Sequence, residues 1–124
     1  NLYVADRDNH LIRKVVISTG VVTTVAGSGS SGSANGTGTS ASFYSPQGIT
    51  TDGTNLYVAD RGNHLIRKIV ISTGVVTTLA GTGSSGSANG TGTSASFSSP
   101  NGITTDGTNL YVADSSNQLI RQIE

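Results

Sequence analysis

The fold of this chain is decided by residues 56–68, which read Leu-Tyr-Val-Ala-Asp-Arg-Gly-Asn-His-Leu-Ile-Arg-Lys. The same stretch stands at residues 2–14, with Asp8 in place of Gly62, and a diverged copy follows at residues 110–122. A shift of 54 residues superposes the chain on itself, because residues 1–54 and 55–108 differ at only six of 54 positions and agree at 48. Repetition at this spacing is typical of propellers, solenoids and arrays, in which one supersecondary unit is stacked many times.

Each repeat reads as four short strands separated by turns. Asp52-Gly53 is a strong tight-turn signal after the first strand, and no window of helical length carries a 3.6-residue apolar spacing free of glycine. The unit is therefore predicted to be a four-stranded antiparallel meander. In the second copy its strands are expected at Gly48–Asp52, Asn55–Asp60, His64–Ile71 and Val75–Ala80.

Such a meander has apolar residues on both faces and needs a sheet on each side, which the radial stacking of a propeller provides. We therefore predict an all-β fold, a β-propeller of four-stranded blades. The strands count three before the first long loop, four between the loops and three after, or about two and a half blades. The piece would expose a raw face at each end, so it must be completed by further repeats or by copies of itself. The predicted repeats are 1–54, 55–108 and the incomplete 109–124.

Two long loops, 27–46 and 81–100, connect the repeats and consist mainly of Gly, Ser, Ala, Thr and Asn. Each contains one large apolar residue, Phe43 or Phe97. We interpret them as anchored loops rather than free linkers, because a lone aromatic side chain in such a segment pins it to the body of the fold.

Composition narrows the functional classes. Seven Lys and Arg balance seven Asp and Glu, and this absence of a basic excess argues against a nucleic-acid partner. Without Cys there is no disulfide framework and no thiolate metal site, and no apolar run has the length of a membrane span. Abundant Ser, Thr and Gly with little Lys favour an extracellular or cell-surface location. Because the chain begins at Asn1 and lacks Met, we expect a segment of something longer.

The motif at residues 56–68 resembles the NHL repeat, named for the Asn-His-Leu that stands here at residues 63–65. The Ser-Pro-x-Gly-Ile stretch before it and the Gly-Val-Val-Thr-Thr-Leu-Ala-Gly stretch after it are similar to the first and last strands of long-loop bacterial repeats of this family. The resemblance implies a β-propeller and, in many members, a platform for protein interaction. Some members bind RNA on a basic face, and a few related propellers are lyases or metal-dependent hydrolases.

Two sets of motif residues invite a catalytic or metal-binding interpretation, but structural roles fit them better. An Asp ends the second strand of each repeat, where it can accept turn N–H groups or pair with an Arg. A His follows in the first two repeats, and its replacement by Gln118 keeps hydrogen bonding while discarding metal chemistry. We therefore predict no catalytic, cofactor-binding or metal residues and assign structural roles to Asp6, Asp60, Asp114, His10, His64, Arg13, Arg67 and Arg121.

Tyr44 departs from the repeat, since Ser98 occupies the equivalent position. It lies just before a first strand, where propellers place ligand-contacting surface. Together with Arg7 and Arg61 it forms the predicted contact surface.

We conclude from the sequence that this is a non-enzymatic repeat scaffold for protein or glycan interaction, completed by further repeats or self-assembling into a ring or fibre. Self-assembly is complicated because Asn1–Ile17 and Asn109–Glu124 encode the same two strands and would compete for one place. Two alternatives remain: a lyase or lactonase with a metal in its central channel, and an engineered repeat protein with no cellular role.

Overall fold

A computed structural model describes all residues from Asn1 to Glu124. It contains only β-strands, short 3-10 turns and loops, so no helix is present that could cross a membrane. The strands are β1 Leu2–Asp6, β2 Leu11–Val15, β3 Val22–Ala26, β4 Gly36–Thr37, β5 Pro46–Thr51, β6 Asn55–Asp60, β7 Leu65–Val70, β8 Val75–Ala80, β9 Pro100–Thr105, β10 Leu110–Asp114 and β11 Leu119–Ile123.

The strands form three antiparallel sheets, which are successive propeller blades. Blade 1 is β1-β2-β3, blade 2 is β5-β6-β7-β8, and blade 3 is β9-β10-β11. The predicted fold class is confirmed: the long strands follow the expected order of three, four and three, so blade 1 lacks an innermost strand and blade 3 an outermost one. The sequence did not predict β4, a two-residue strand of loop 27–46 that pairs with the outer edge of β8.

Hydrogen bonds within the turns stabilise these short segments as hairpins. Between β5 and β6, the Asp52 carboxylate accepts the backbone N–H groups of Thr54 and Asn55 at 2.9 and 2.7 Å. Gly53 follows Asp52 at φ 92°, a left-handed conformation that glycine adopts without steric cost. The Tyr57 hydroxyl donates to Asp52 at 3.0 Å. Tyr57 thus braces its own hairpin turn, a contact that the sequence analysis did not anticipate.

The core lies between blades. One buried cluster joins blades 1 and 2 around Ile12, Leu56 and Ile69, and a second joins blades 2 and 3 around Ile66 and Val112. The innermost strands β5 and β9 approach so closely that a Cβ at Gly48 would lie 2.7 Å from the carbonyl oxygen of Asn101. A glycine is therefore required there to keep the two blades in contact.

We call residues 54 positions apart twins. Twins differ in exposure according to whether their blade face packs against another blade of the chain. Leu2 and Val4 of blade 1 are exposed, whereas their twins Leu56 and Val58 are fully buried. At the other end Ile120 is 75% exposed, although its twin Ile66 is fully buried. Both outer faces of this three-blade stack are thus apolar surfaces without a neighbouring blade.

Candidate contact face

All the predicted site residues lie at one end of the blades. Because the strands are antiparallel, the turn between the second and third strands of a blade and the loop leading to the next blade emerge at the same end. This end, which we call the loop face, carries the 3-10 turns Arg7–Asn9, Arg61–Asn63 and Ser115–Asn117 and the loops 27–46 and 81–100.

In blade 2 the loop face is organised by a cluster that we call the loop clamp: Asp60, Asn63 and Arg67. Arg67 donates to Asp60 at 2.9 Å, and both side chains are completely buried. Asn63 Nδ2 donates to the same carboxylate at 2.7 Å. The clamp is therefore a charged pair held away from water and braced by an amide.

The loop clamp grips the loop that arrives from blade 1. Arg67 donates to the carbonyl oxygens of Ser42 and Ala34 and to Asn35 Oδ1, at 2.9 to 3.0 Å. Asn63 donates to the carbonyl of Gly32 at 2.7 Å. These donors fix the backbone of the loop through three of its carbonyl groups, those of Gly32, Ala34 and Ser42.

The Phe43 side chain completes this attachment. It is fully buried, and the Arg67 guanidinium lies 5.0 Å from the centre of its ring. A cation over an aromatic face is attracted by the ring quadrupole, more strongly when water is excluded. Loop 27–46 is thus fixed by hydrogen bonds and an aromatic anchor. The twin arrangement in blade 3 holds loop 81–100 with Asp114, Asn117, Arg121 and Phe97.

Blade 1 carries the same three side chains with no loop to hold. Arg13 donates to Asp6 at 3.0 Å and Asn9 donates to Asp6 at 3.0 Å, but the side chains of Arg13 and Asp6 are 31% and 25% exposed. Hydrogen bonding from Asn9, supported by Arg13, lowers the pKa of Asp6 below 3.8. In blade 2 burial is the dominant influence and raises the pKa of Asp60, although Asn63, the Tyr44 N–H and Arg67 act in the opposite direction.

The two histidines act as hydrogen-bond acceptors at the ends of the 3-10 turns. His10 and His64 both have φ 56°, in the left-handed region, rather than beginning a strand as predicted for His64. Nδ1 of His10 accepts the Ser45 N–H, and Nδ1 of His64 accepts the Ser99 N–H, each at 3.0 Å. Each histidine thus joins the turn of its own blade to the start of the next blade.

Tyr44 is hydrogen-bonded through its backbone on both sides although the residue is 46% exposed. Its backbone N–H donates to Asp60 Oδ1 and its carbonyl accepts the Gly62 N–H, both at 2.8 Å. Its ring meets the His10 ring edge-on at 5.7 Å and 73°. A Cβ on Gly62 would lie 2.6 Å from Tyr44 Cγ, so only glycine fits beneath the ring.

The two predicted contact arginines lie in or next to the segments that contact Tyr44: Arg7 begins the turn that ends at His10, and Arg61 precedes Gly62. The Arg7 side chain is 53% exposed and makes only a long 3.8 Å contact with Asp8, while Arg61 is half-buried. Neither is committed to a buried partner. In blade 3 the corresponding positions are Ser98 and Ser115, so the aromatic and cationic character is confined to blades 1 and 2.

The acidic residues and histidines of the loop face do not converge. No group of three or more His, Asp or Glu side chains is placed to hold a metal ion. Asp60, Asp114 and His64 are instead committed to internal hydrogen bonds. The exposed side chains on this face include Tyr44 and Arg7.

Sequence reasoning missed that the Asp–Arg pairs serve to hold loops from the preceding blade. One signal for this attachment was available in the sequence: each loop contains an Asn, Asn35 or Asn89, eight residues before its Phe. The fit between Tyr44 and Gly62 was also missed, although both positions depart from the repeat.

Comparison with known proteins shows which repeats these resemble. A model of the NHL repeat matches residues 43–69. NHL repeat-containing protein 2 of Bos taurus is 35% identical over an alignment that covers 99% of this chain and 19% of that protein. The human protein of the same name is 34% identical, with the same coverage. The chain thus spans only about a fifth of the length of these curated relatives.

Solved structures show the same architecture. A structural genomics protein of unknown function from Bacteroides thetaiotaomicron superposes with a TM-score of 0.89 at 28% identity, over 97% of this chain and 31% of that one. An auxiliary nutrient binding protein from the same organism gives a TM-score of 0.81 at 27% identity, over 98% of this chain and 34% of that one. With the repeat motif, the blade order and these relatives in agreement, the chain belongs to the NHL-repeat family.

Proposed function

We propose that this chain is a non-enzymatic binding module that recognises a protein or glycan ligand on its loop face, at the boundary of blades 1 and 2. The observation that carries the proposal is the preorganised exposure of Tyr44. Its backbone is hydrogen-bonded on both sides and its ring rests over Gly62, yet the residue is exposed to solvent. A rigid aromatic side chain contributes contact area at low entropic cost on binding.

The surrounding groups suit recognition rather than catalysis. The buried Asp–Arg pairs are consumed in holding loops, and His64 has its Nδ1 occupied by a backbone donor. Arg7 and Arg61 have no buried partner and belong to the turns that contact Tyr44, which supports a role for them in binding the same ligand. The nutrient-binding description of one structural neighbour supports a binding role.

The module works within a propeller completed by further NHL repeats, and we propose a secreted or cell-surface setting. The support is the Ser-, Thr- and Gly-rich composition and the similarity to a Bacteroides nutrient binding protein. Balanced charge is consistent with a ligand other than nucleic acid.

The test is Tyr44→Ser, which installs the residue that the twin position already carries as Ser98. We expect this variant to keep its fold and to lose binding when the protein is screened against immobilised polysaccharides and a displayed peptide library. The outcome that rejects the contact face is a wild-type ligand that Tyr44→Ser still binds equally well, or no binder in either screen.

A gain-of-site variant sharpens the assignment. Ser98→Tyr combined with Ser116→Gly rebuilds the Tyr44–Gly62 arrangement in blade 3, where His64 already accepts the Ser99 N–H as His10 accepts that of Ser45. We expect this double variant to bind a second equivalent of ligand more weakly than the first, because Ser115 stands where blade 2 has Arg61. Ser98→Tyr alone should gain less, because Ser116 keeps a Cβ where Gly62 has none.

A further inference from the structure

A polar groove lies on the loop face where the two long loops meet blade 2. It encloses about 560 Å³, a volume within the range of about 300–1,000 Å³ that is usual for ligand clefts. Loop 27–46 contributes Ser33 and Asn35 to its walls, and loop 81–100 contributes Thr93. The rest of the lining comes from the same loops and from blade 2 itself, which has all four of its strands. The groove is therefore an interior feature of the repeat.

The lining of the groove is neutral and polar. It consists of amide and hydroxyl side chains and glycine backbone, with Leu65 as the one apolar side chain and no Asp, Glu, Lys or Arg. A groove for an extended peptide offers pockets for alternate side chains, and a site for phosphate or carboxylate groups normally offers Arg or Lys. This lining instead suits an uncharged ligand that is rich in hydroxyl groups.

Two amide side chains give the groove one free donor group and one free acceptor. Asn35 Oδ1 accepts Arg67 at 3.0 Å and Thr78 at 3.3 Å, so that its Nδ2 is left with no partner in the chain. Asn63 shows the reverse arrangement, because its Nδ2 donates two hydrogen bonds of 2.7 Å within the fold while its Oδ1 accepts none. Two neighbouring sugar hydroxyls can satisfy both groups, since a hydroxyl donates one hydrogen bond and accepts others.

Both walls of the groove are already in place without a ligand. Asn35 and Asn63 are each bonded to a member of the buried Asp–Arg pair of the loop clamp. On the other side, the Gly81 N–H donates to the carbonyl of Gly92 at 3.2 Å, which fixes the segment that carries Thr93. Groups that are held in position lose little conformational entropy when they bind.

We propose that this groove binds a neutral saccharide, with adjacent hydroxyls of one sugar unit on Asn35 Nδ2 and Asn63 Oδ1. The inference rests on the proposed function, because it selects a glycan as the ligand of the loop face. Asp60 links the groove to Tyr44: its Oδ1 accepts the Tyr44 N–H, and its Oδ2 accepts the Asn63 amide. A glycan of several units therefore has an aromatic contact at Tyr44 and a subsite for its hydroxyls in the groove.

The test is calorimetric titration with maltohexaose, cellohexaose, xylohexaose and mannohexaose, and with a galacturonic acid oligomer as the charged comparison. We expect at least one neutral sugar to bind and the charged oligomer not to bind. Asn35→Asp should weaken binding of that sugar about tenfold, the effect of one lost hydrogen bond. An Asp at this position keeps an oxygen for Arg67 and Thr78, so the loop stays attached while the Nδ2 donor is removed.

A matched pair of threonine variants separates the groove from the rest of the surface. Thr93→Val removes a hydroxyl from the lining, and we expect it to weaken binding about threefold. Thr54→Val makes the same change at an exposed position in the turn between β5 and β6, outside the groove, and should leave the affinity unchanged.

Four results would each overturn the proposal: no binding of any neutral hexasaccharide, equal binding of the galacturonic acid oligomer, full affinity in Asn35→Asp, or equal effects of the two threonine variants. Tyr44→Ser distinguishes this proposal from the contact face. Loss of affinity in Tyr44→Ser but not in Asn35→Asp rejects the groove and keeps the contact face, whereas loss in Asn35→Asp alone rejects the contact face and keeps the groove. We expect both variants to lose affinity.

Discussion

The clamps of blades 1 and 2 contain the same three side chains, with the same hydrogen bonds to the Asp carboxylate, yet they differ in their exposure to solvent. Asp60 and Arg67 are sealed beneath loop 27–46, whereas Asp6 and Arg13 remain in contact with water. The sequence of the motif is identical at these positions, so the difference comes from the surroundings: the clamp side chains of blade 1 have no loop over them, and blade 1 lacks an innermost strand. The contribution of such an ion pair to stability therefore depends on how far the surrounding segments, including the loop from the preceding repeat, bury it.

The largest expected contrast is between Arg67→Ala and Arg13→Ala. Removing Arg67 leaves the Asp60 carboxylate buried without its charged partner and strips the loop of its donors, which we expect to cost about 3–5 kcal/mol in the free energy of unfolding. Removing Arg13 breaks a partly exposed pair worth about 0–1 kcal/mol. Urea denaturation of both variants measures the difference.

Because Arg67 also lies over Phe43, lost packing could imitate lost charge. Arg67→Met keeps much of the side-chain volume and serves as the control, and it should remain nearly as damaging as Arg67→Ala. Equal destabilisation by the Arg13 and Arg67 variants would show that the loop does not create the contrast.

The next effect concerns the ring of Tyr44. Gly62→Asp copies the residue of blade 1 into blade 2, where its Cβ would collide with Tyr44. We expect a loss of about 1–3 kcal/mol from overpacking, measured by the same denaturation. In a Tyr44→Ser background part of the cost should disappear, because the ring atoms above Gly62 are gone while the carbonyl oxygen of residue 44, 2.7 Å from the added Cβ, remains. A double-mutant cycle with no coupling energy would contradict the assignment.

The smallest expected effect is the difference between the pKa values of Asp6 and Asp60. Carboxyl carbon NMR should find Asp6 titrating below 3.8 and Asp60 above it. The lowered pKa of Asp6 means that its contribution to stability is complete above pH 3.8 and is lost as pH falls through its folded-state pKa. The raised pKa of Asp60 has the opposite sign: stability falls as pH rises from 3.8 through its folded-state pKa. Coincident titration curves would mean that loop burial does not distinguish the two.

Much of the architecture was accessible from the sequence, because the 54-residue repeat, the β-branched runs and the Asp52-Gly53 turn are local signals. Strands β6 and β8 occur at the predicted residues. The strand predicted from His64 begins instead at Leu65, since His64 adopts a left-handed conformation that a strand pattern does not reveal.

The contact face was harder to predict from the sequence than the fold. Tyr44 stood out because it breaks the repeat, but its support from Asp60 and Gly62 depends on residues 16 and 18 positions away that meet only after the blades stack. The two-residue strand β4 was missed for a related reason: Gly36–Thr37 lies in a Gly-rich loop without periodicity and is defined only by its partner β8.

The placement of the clamp has a consequence for the order of events during synthesis. Loop 27–46 emerges from the ribosome before the residues that hold it, because its donors lie at Asn63 and Arg67. We expect the loop to stay open until Arg67 has cleared the exit tunnel, and loop 81–100 to wait in turn for Arg121. Each long loop is thus attached only after the next blade has been made, so loop attachment follows synthesis with a delay of about one repeat.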